Sequence, residues 1–166
     1  FMKRISIIVA VAENNAIGYK NELLCYLSDD LKRFKKLTTN NVVVMGKKTF
    51  ESLPIKPLPN RLNIVITDQV TDCFDKCVTA FSIEDAIDKM STEKENFIIG
   101  GGSVYKQFMH YADRLYLIKI NKEFEADTFF PDINENEWKV ISKENKYADE
   151  KNEFDYTYFI LEKIKK

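Results

Sequence analysis

Short β-branched runs alternate with helix-like stretches along this chain, and two of the runs break at glycine just before a helix. Short apolar runs read as buried strands, at 4–10, 42–45, 62–67, 97–99 and 115–120. Helical spacing recurs between them, from Ser28 toward Thr38, and over 48–52, 82–90 and 103–109. Ser28 and Ser82 stand where a hydroxyl can cap a helix, each followed by two carboxylates suited to the helix dipole. Residues 54–60 hold Pro54, Pro57 and Pro59 and read as a loop, and 13–26, rich in Asn and Gly, as another. A closing antiparallel pair is expected from 138–142 and 156–161. The expected class is α/β, one domain over residues 1–166. It has a mostly parallel central sheet, an antiparallel C-terminal strand and helices on both faces.

The 166 residues suit one core, and a formal net charge of −1 gives no footprint for a polyanion, so no nucleic-acid partner is expected. No apolar run approaches the roughly 18 residues of a membrane span, and no secretory signal is read at the start. Cys25, Cys73 and Cys77 are an odd, scattered set, which points to a reducing compartment such as the cytoplasm. With one histidine, His110, far from the cysteines, no metal site is expected. The expectation is a monomer acting on a small molecule.

Two corners can carry chemistry. In Ile98-Ile99-Gly100-Gly101-Gly102-Ser103-Val104-Tyr105 a strand runs through three glycines into a helix. Glycine admits close approach of a ligand, and a helix start offers free N–H groups to an anion such as a dinucleotide pyrophosphate. The usual G-x-G-x-x-G fingerprint is absent, and a tight turn without a ligand fits the same pattern. In Val44-Met45-Gly46-Lys47-Lys48-Thr49 two cations follow the glycine; they fit a phosphate, or two solvated lysines on a turn. Asp30 and Phe34 lie four residues apart and so share a helix face, flanked by Leu27 and Leu31. A carboxylate in such a setting can have a perturbed pKa and anchor a cationic or amide-like ring; a solvated helix-dipole carboxylate is the plainer alternative. Arg61 can pair with a carboxylate through its planar fork, or lie on the surface. Phe129 and Phe130 read as core, and His110 as structural or exposed.

These motifs, in this order, resemble the dihydrofolate reductase family over essentially the whole chain. Asn15-Ala16-Ile17-Gly18, Leu27 to Lys35, Met45 to Ser52, Leu58-Pro59-Asn60-Arg61, Ile98 to Tyr105 and Asp127 to Pro131 carry the resemblance. It implies reduction of 7,8-dihydrofolate by NADPH, with Asp30 binding the pterin and helping to deliver a proton toward its N5. Ile8, Val9, Leu23, Leu31, Phe34, Leu53, Leu58, Ile99, Tyr105 and Ile118 then match the folate cleft, and Arg61 the holder of the glutamate tail. Ala10, Ile17, Gly18, Leu23, Gly46, Lys47, Lys48, Thr49, Thr67 and Asp68 match the cofactor site. So do Ile99, Gly100, Gly101, Gly102, Ser103, Val104, Tyr105 and Gln107. Leu23 falls at the tip of a lid, and Asp127 in the loop that tethers it.

Three positions depart from the family pattern. Leu24-Cys25 stands in place of a Pro-Trp pair, Ile118 in place of a threonine that hydrogen-bonds the catalytic carboxylate, and Asp68 near the extra phosphate. They imply a slower enzyme with altered pH dependence, in which Lys47 offsets Asp68. A related riboflavin-pathway reductase fits the Asp30–Phe34 pair and the 58–61 motif less well. A non-catalytic binding module gives no reason to keep Asp30.

Overall fold

The structure, a computed structural model, describes residues 2–18 and 27–164. In chain order the elements are β1 (Ile5–Ala12), β2 (Ala16–Gly18), α1 (Ser28–Thr38), β3 (Val42–Gly46), α2 (Lys47–Ser52), β4 (Leu62–Ile66), β5 (Val78–Ala80) and α3 (Ile83–Lys89). They continue with β6 (Asn96–Gly100), α4 (Gly102–Phe108), β7 (Arg114–Ile120), β8 (Thr128–Phe129), β9 (Trp138–Lys146) and β10 (Tyr156–Lys163). Eight strands form one sheet in the order β5-β4-β3-β6-β1-β7-β10-β9. All neighbours from β5 to β7 run parallel, and β10 runs antiparallel to both β7 and β9. This is the α/β arrangement expected from the alternation of runs and helices.

Side chains alternate across a strand, so the sheet sorts its apolar residues onto two faces. Ile5, Ile7, Val9 and Val11 of β1 join Ile83 and Ala86 of α3 and Val104, Tyr105 and Phe108 of α4 on one face. Ile8, Val43, Met45, Val65, Phe97 and Tyr116 face the other way, toward Phe34 and Leu37 of α1 and Phe50 of α2. Ile118, Ile120, Tyr156 and Tyr158 extend that second face beneath Leu27.

Local chemistry accounts for the helix ends, with one correction. Ser82 caps α3 as expected, its hydroxyl accepting from the Asp85 N–H at 2.9 Å. Ser28 is instead the first residue of α1, and Leu27 ahead of it offers no side-chain cap. The free N–H of Asp29 is taken by Oδ1 of Asn152 at 3.1 Å, across 123 residues of sequence. A local pattern could not foresee that partner. Three short strands also escaped the sequence reading. β5 adds an edge to the sheet, and β2 pairs with β8, so part of the expected 13–26 loop is extended. Phe130 is core as expected, whereas Phe129 is half exposed. His110 is exposed. Among the described residues no helix is long and apolar enough to cross a membrane.

Candidate active site

The sheet opens where the site lies. β1 and β6 pair only from Ile5↔Asn96 to Ile7↔Ile98, although both strands run further. Beyond that point the Ile8 carbonyl accepts the Tyr105 hydroxyl at 3.0 Å instead of a strand N–H. β6 also slips against β3: Val44 faces Ile98 and Met45 faces Gly100, leaving Ile99 as the extra residue of a bulge. The chain leaves β1 toward β3 on one side and later crosses from β6 to β7 on the other, so the split is a topological switch point. Such a crevice, at the carboxyl ends of parallel strands, is where open α/β sheets hold ligands.

Asp30 projects from the first turn of α1 on the side of that split. Its neighbourhood is apolar, and burial pushes its carboxyl up to about 6, against a smaller downward pull from Arg33. Burial above all, and the Asp30 charge after it, hold the Tyr105 phenol neutral, although α4 lies on the far face of the sheet. Ile8, Phe34, Leu53, Leu58 and Ile99 gather in one cluster around the slot, and Ile118 adjoins it in the next. Leu31 is 47% exposed on the same helix, an apolar side chain left uncovered at the mouth. Val9 is separate: its side chain belongs to the opposite core, so only its backbone reaches the split.

Arg61 is no loose surface arginine. Its Nε donates to the Pro59 carbonyl at 2.9 Å and its Nη1 to the Thr38 hydroxyl at 3.0 Å, which fixes the guanidinium at the rim between α1 and the proline loop. Asn63, a buried residue that sequence reasoning passed over, clamps that loop. It donates to the Leu58 and Arg61 carbonyls at 2.9 and 3.0 Å and accepts from the Leu58 N–H. A lone asparagine inside an apolar strand was the available signal, because a buried amide needs several partners.

The two glycine corners meet. A Cβ on Gly46 would come within 3.2 Å of Val104, and one on Gly101 within 3.2 Å of the Thr49 hydroxyl, so each corner packs on the helix of the other. Gly100 has φ +128°, a conformation that side chains rarely adopt. A Cβ on Gly102 would sit 2.5 Å from Thr128, and Ile17 lies next to it. β2 and β8 therefore close over the triple-glycine turn. The Asp127 N–H bonds the Gly18 carbonyl at 3.1 Å, tying the two loops together. Ala10 lies at the open part of β1, while Ser103 and Gln107 bond each other on the exposed side of α4. Leu23, with Leu24 and Cys25, lies outside the described residues.

At the second corner Lys48 is exposed, but Lys47 is engaged. Its ammonium meets Oδ2 of Asp72 at 2.9 Å, and the same oxygen accepts from the Thr67 hydroxyl at 2.5 Å. Thr67 first and Lys47 second hold the Asp72 carboxyl below the usual range. The expected offset of Asp68 by Lys47 is therefore weaker than the sequence implied, because Asp72 already claims that cation. A separate hollow of about 350 Å³, lined by Val11, Asn15, Leu117, Lys119, Phe130, Asp132 and Ile133, lies on the opposite face of the sheet.

A split parallel sheet, with a buried carboxyl over the gap and glycine corners beside it, defines an α/β enzyme working at its carboxyl edge. The family model described as dihydrofolate reductase matches residues 4–163. Dihydrofolate reductase of Bacillus subtilis is 45% identical over 159 residues, 96% of this chain and 94% of that protein. The enzyme of Haemophilus influenzae is 41% identical over 94% of this chain and 96% of its own. A solved dihydrofolate reductase from Enterococcus faecalis, complexed with NADP(H) and RAB-propyl, superposes with a TM-score of 0.90 at 33% identity, covering 98% of this chain and 97% of that one. This chain belongs to the dihydrofolate reductase family.

Proposed function

We propose that the chain reduces 7,8-dihydrofolate to 5,6,7,8-tetrahydrofolate with NADPH as donor, and that Asp30 is its catalytic residue. The carrying observation is the placement of Asp30: a carboxyl raised to about 6, on the helix beside the split between β1 and β6. Such a group is poised between an ionised form, which accepts two N–H bonds from a pterin edge, and a protonated form, which can pass a proton on. Phe34, Leu31, Leu53, Leu58, Ile99 and Ile118 offer the pterin and its ring tail an apolar slot, and Arg61 offers the glutamate carboxylate the N–H donors that Pro59 and Thr38 leave free. Ile8 and Val9 present backbone at the gap, with Tyr105 fixing the Ile8 carbonyl.

Several features of the glycine corners fit the cofactor. The missing side chains of Gly46, Gly100, Gly101 and Gly102 let Val104, Thr49, Tyr105 and Thr128 pack close on the turns, which brings the backbone of both corners to one opening bordered by Ala10, Ile17 and Gly18. Lys48, Thr49, Ser103 and Gln107 stand at its polar rim, and Lys47 and Thr67 can receive a phosphate if Asp72 yields them. Bound NADPH supplies the hydride; the protein orients, excludes water and handles the proton. The reading has the enzyme act as a monomer in the cytoplasm, where thiols such as the free Cys73 and Cys77 stay reduced. The test is NADPH oxidation with dihydrofolate, in the parent and in Asp30→Asn, with NADPH binding followed separately by fluorescence. A loss of about 10²- to 10⁴-fold with cofactor binding kept supports the role of Asp30. A parent that binds NADPH but does not turn over would overturn the reading.

A further inference from the structure

Arg33 carries an unexplained arrangement next to Asp30. It lies three residues further along α1, on the same helix face. Its guanidinium stacks over the ring of Tyr158, with Cζ 4.0 Å from the centroid. Nη1 is buried and has no hydrogen-bond partner among the described residues. Unpaired buried donors are costly, by about 1–3 kcal/mol, and a guanidinium cannot escape that cost by losing its proton.

Tyr158 stands directly opposite Ile118 in the β7–β10 ladder. The guanidinium therefore covers the strand position adjacent to the residue that offers Asp30 no hydroxyl. We propose that Arg33 is a positioning residue: seated on Tyr158, it supplies the positive charge that Ile118 cannot and acts on the Asp30 carboxyl from the same helix face. This rests on Asp30 as the proton-handling group. Among the described residues no ion pair within 4.0 Å joins Asp30 to Arg33, so the guanidinium acts on the carboxyl as a charge at a distance and not as a contact partner.

Among the described residues, Arg33 is the single cation acting on Asp30. Tyr105 of α4 and Tyr158 of β10 face the carboxyl as neutral phenols, both raised mainly by burial. Glu144 of β9 feels Arg33, but Lys146 holds it at 2.7 Å. Asp29 acts on Tyr156 and is held by Nδ2 of Asn152 at 3.1 Å. The Arg33 pull on Asp30 is smaller than the burial effect and opposite in sign, as an assisting cation requires.

The test titrates the Asp30 carboxyl by carbon-13 NMR in the ligand-free protein. The variants are Arg33→Gln, which keeps length without charge, Arg33→Lys, and Arg33→Gln with Ile118→Thr. The Asp30 midpoint should rise by about one unit in Arg33→Gln, return at least halfway in Arg33→Lys, and fall again when Thr is restored at 118. A midpoint within about 0.2 units of the parent in folded Arg33→Gln overturns the proposal. If Arg33→Gln does not fold, Arg33→Lys and Ile118→Thr decide: the midpoint should stay within about half a unit of the parent in Arg33→Lys and fall in Ile118→Thr, and any other pair of results overturns the proposal. The pH profile of turnover is a separate readout. Should the NMR midpoint move while that profile stays, Arg33 acts as proposed and Asp30 is not the proton-handling group.

Discussion

The two faces of the sheet are built to different standards of completion. On the α3/α4 face, Ile7, Ile98, Phe108 and Leu115 are wholly buried and close against one another. On the α1/α2 face, Phe34, Leu53, Leu58 and Ile99 are only partly buried, Leu31 is open, and a carboxyl sits among them at a raised pKa. The same strands feed both faces, since alternate residues of β1 point to each. The difference teaches that the α1/α2 face, although Val43, Met45 and Val65 are as fully buried there, also keeps apolar surface and an unfavourably placed charge for a ligand to cover.

Three substitutions probe this contrast. Phe108→Ala, in the finished face, should cost about 3–5 kcal/mol in urea unfolding and leave KM for dihydrofolate unchanged in the folded fraction. A small loss would mean that this face is not where stability resides. Asp30→Asn should do the reverse and stabilise. A carboxyl raised from 3.8 to about 6 favours the fold while protonated, and that contribution is lost as pH rises through 6. The gain should therefore be about 1–3 kcal/mol at pH 8 and near zero at pH 4; an equal shift of the unfolding midpoint at both pH values would break the comparison. Leu31→Ala should cost less than about 1 kcal/mol of stability, since its side chain is half exposed, yet weaken dihydrofolate binding severalfold by calorimetry. Unchanged binding would show that the open apolar surface is not the ligand's.

Much of this was legible in the sequence because it depends on local pattern. Seven strands, four helices and both glycine corners follow from periodicity and breakers, and so does the Asp30–Phe34 face. What was not legible depends on partners distant in the chain. Asn152 replaces Ser28 as the cap of α1, and Asp72 takes Lys47 from the corner it adjoins. β2 and β8 are too short to announce themselves and exist because they pair with each other. Arg33 lay within a quoted motif, and its spacing from Asp30 was visible. Its stacking on Tyr158 was not, since that contact joins a helix to the last strand.

The Asn152 link also bears on how the enzyme comes into being. The helix bearing Asp30 has its first turn tied to a residue 123 positions later. A ribosome adding about 5–20 residues per second needs on the order of ten seconds to cover that interval. Once Ile118 has been added the nascent chain holds every residue of the slot's apolar wall, yet it still lacks the clamp on the helix that bears its acid. Competence arrives with the final hairpin, so loss of the last strands removes the working end of the molecule before it removes the sheet.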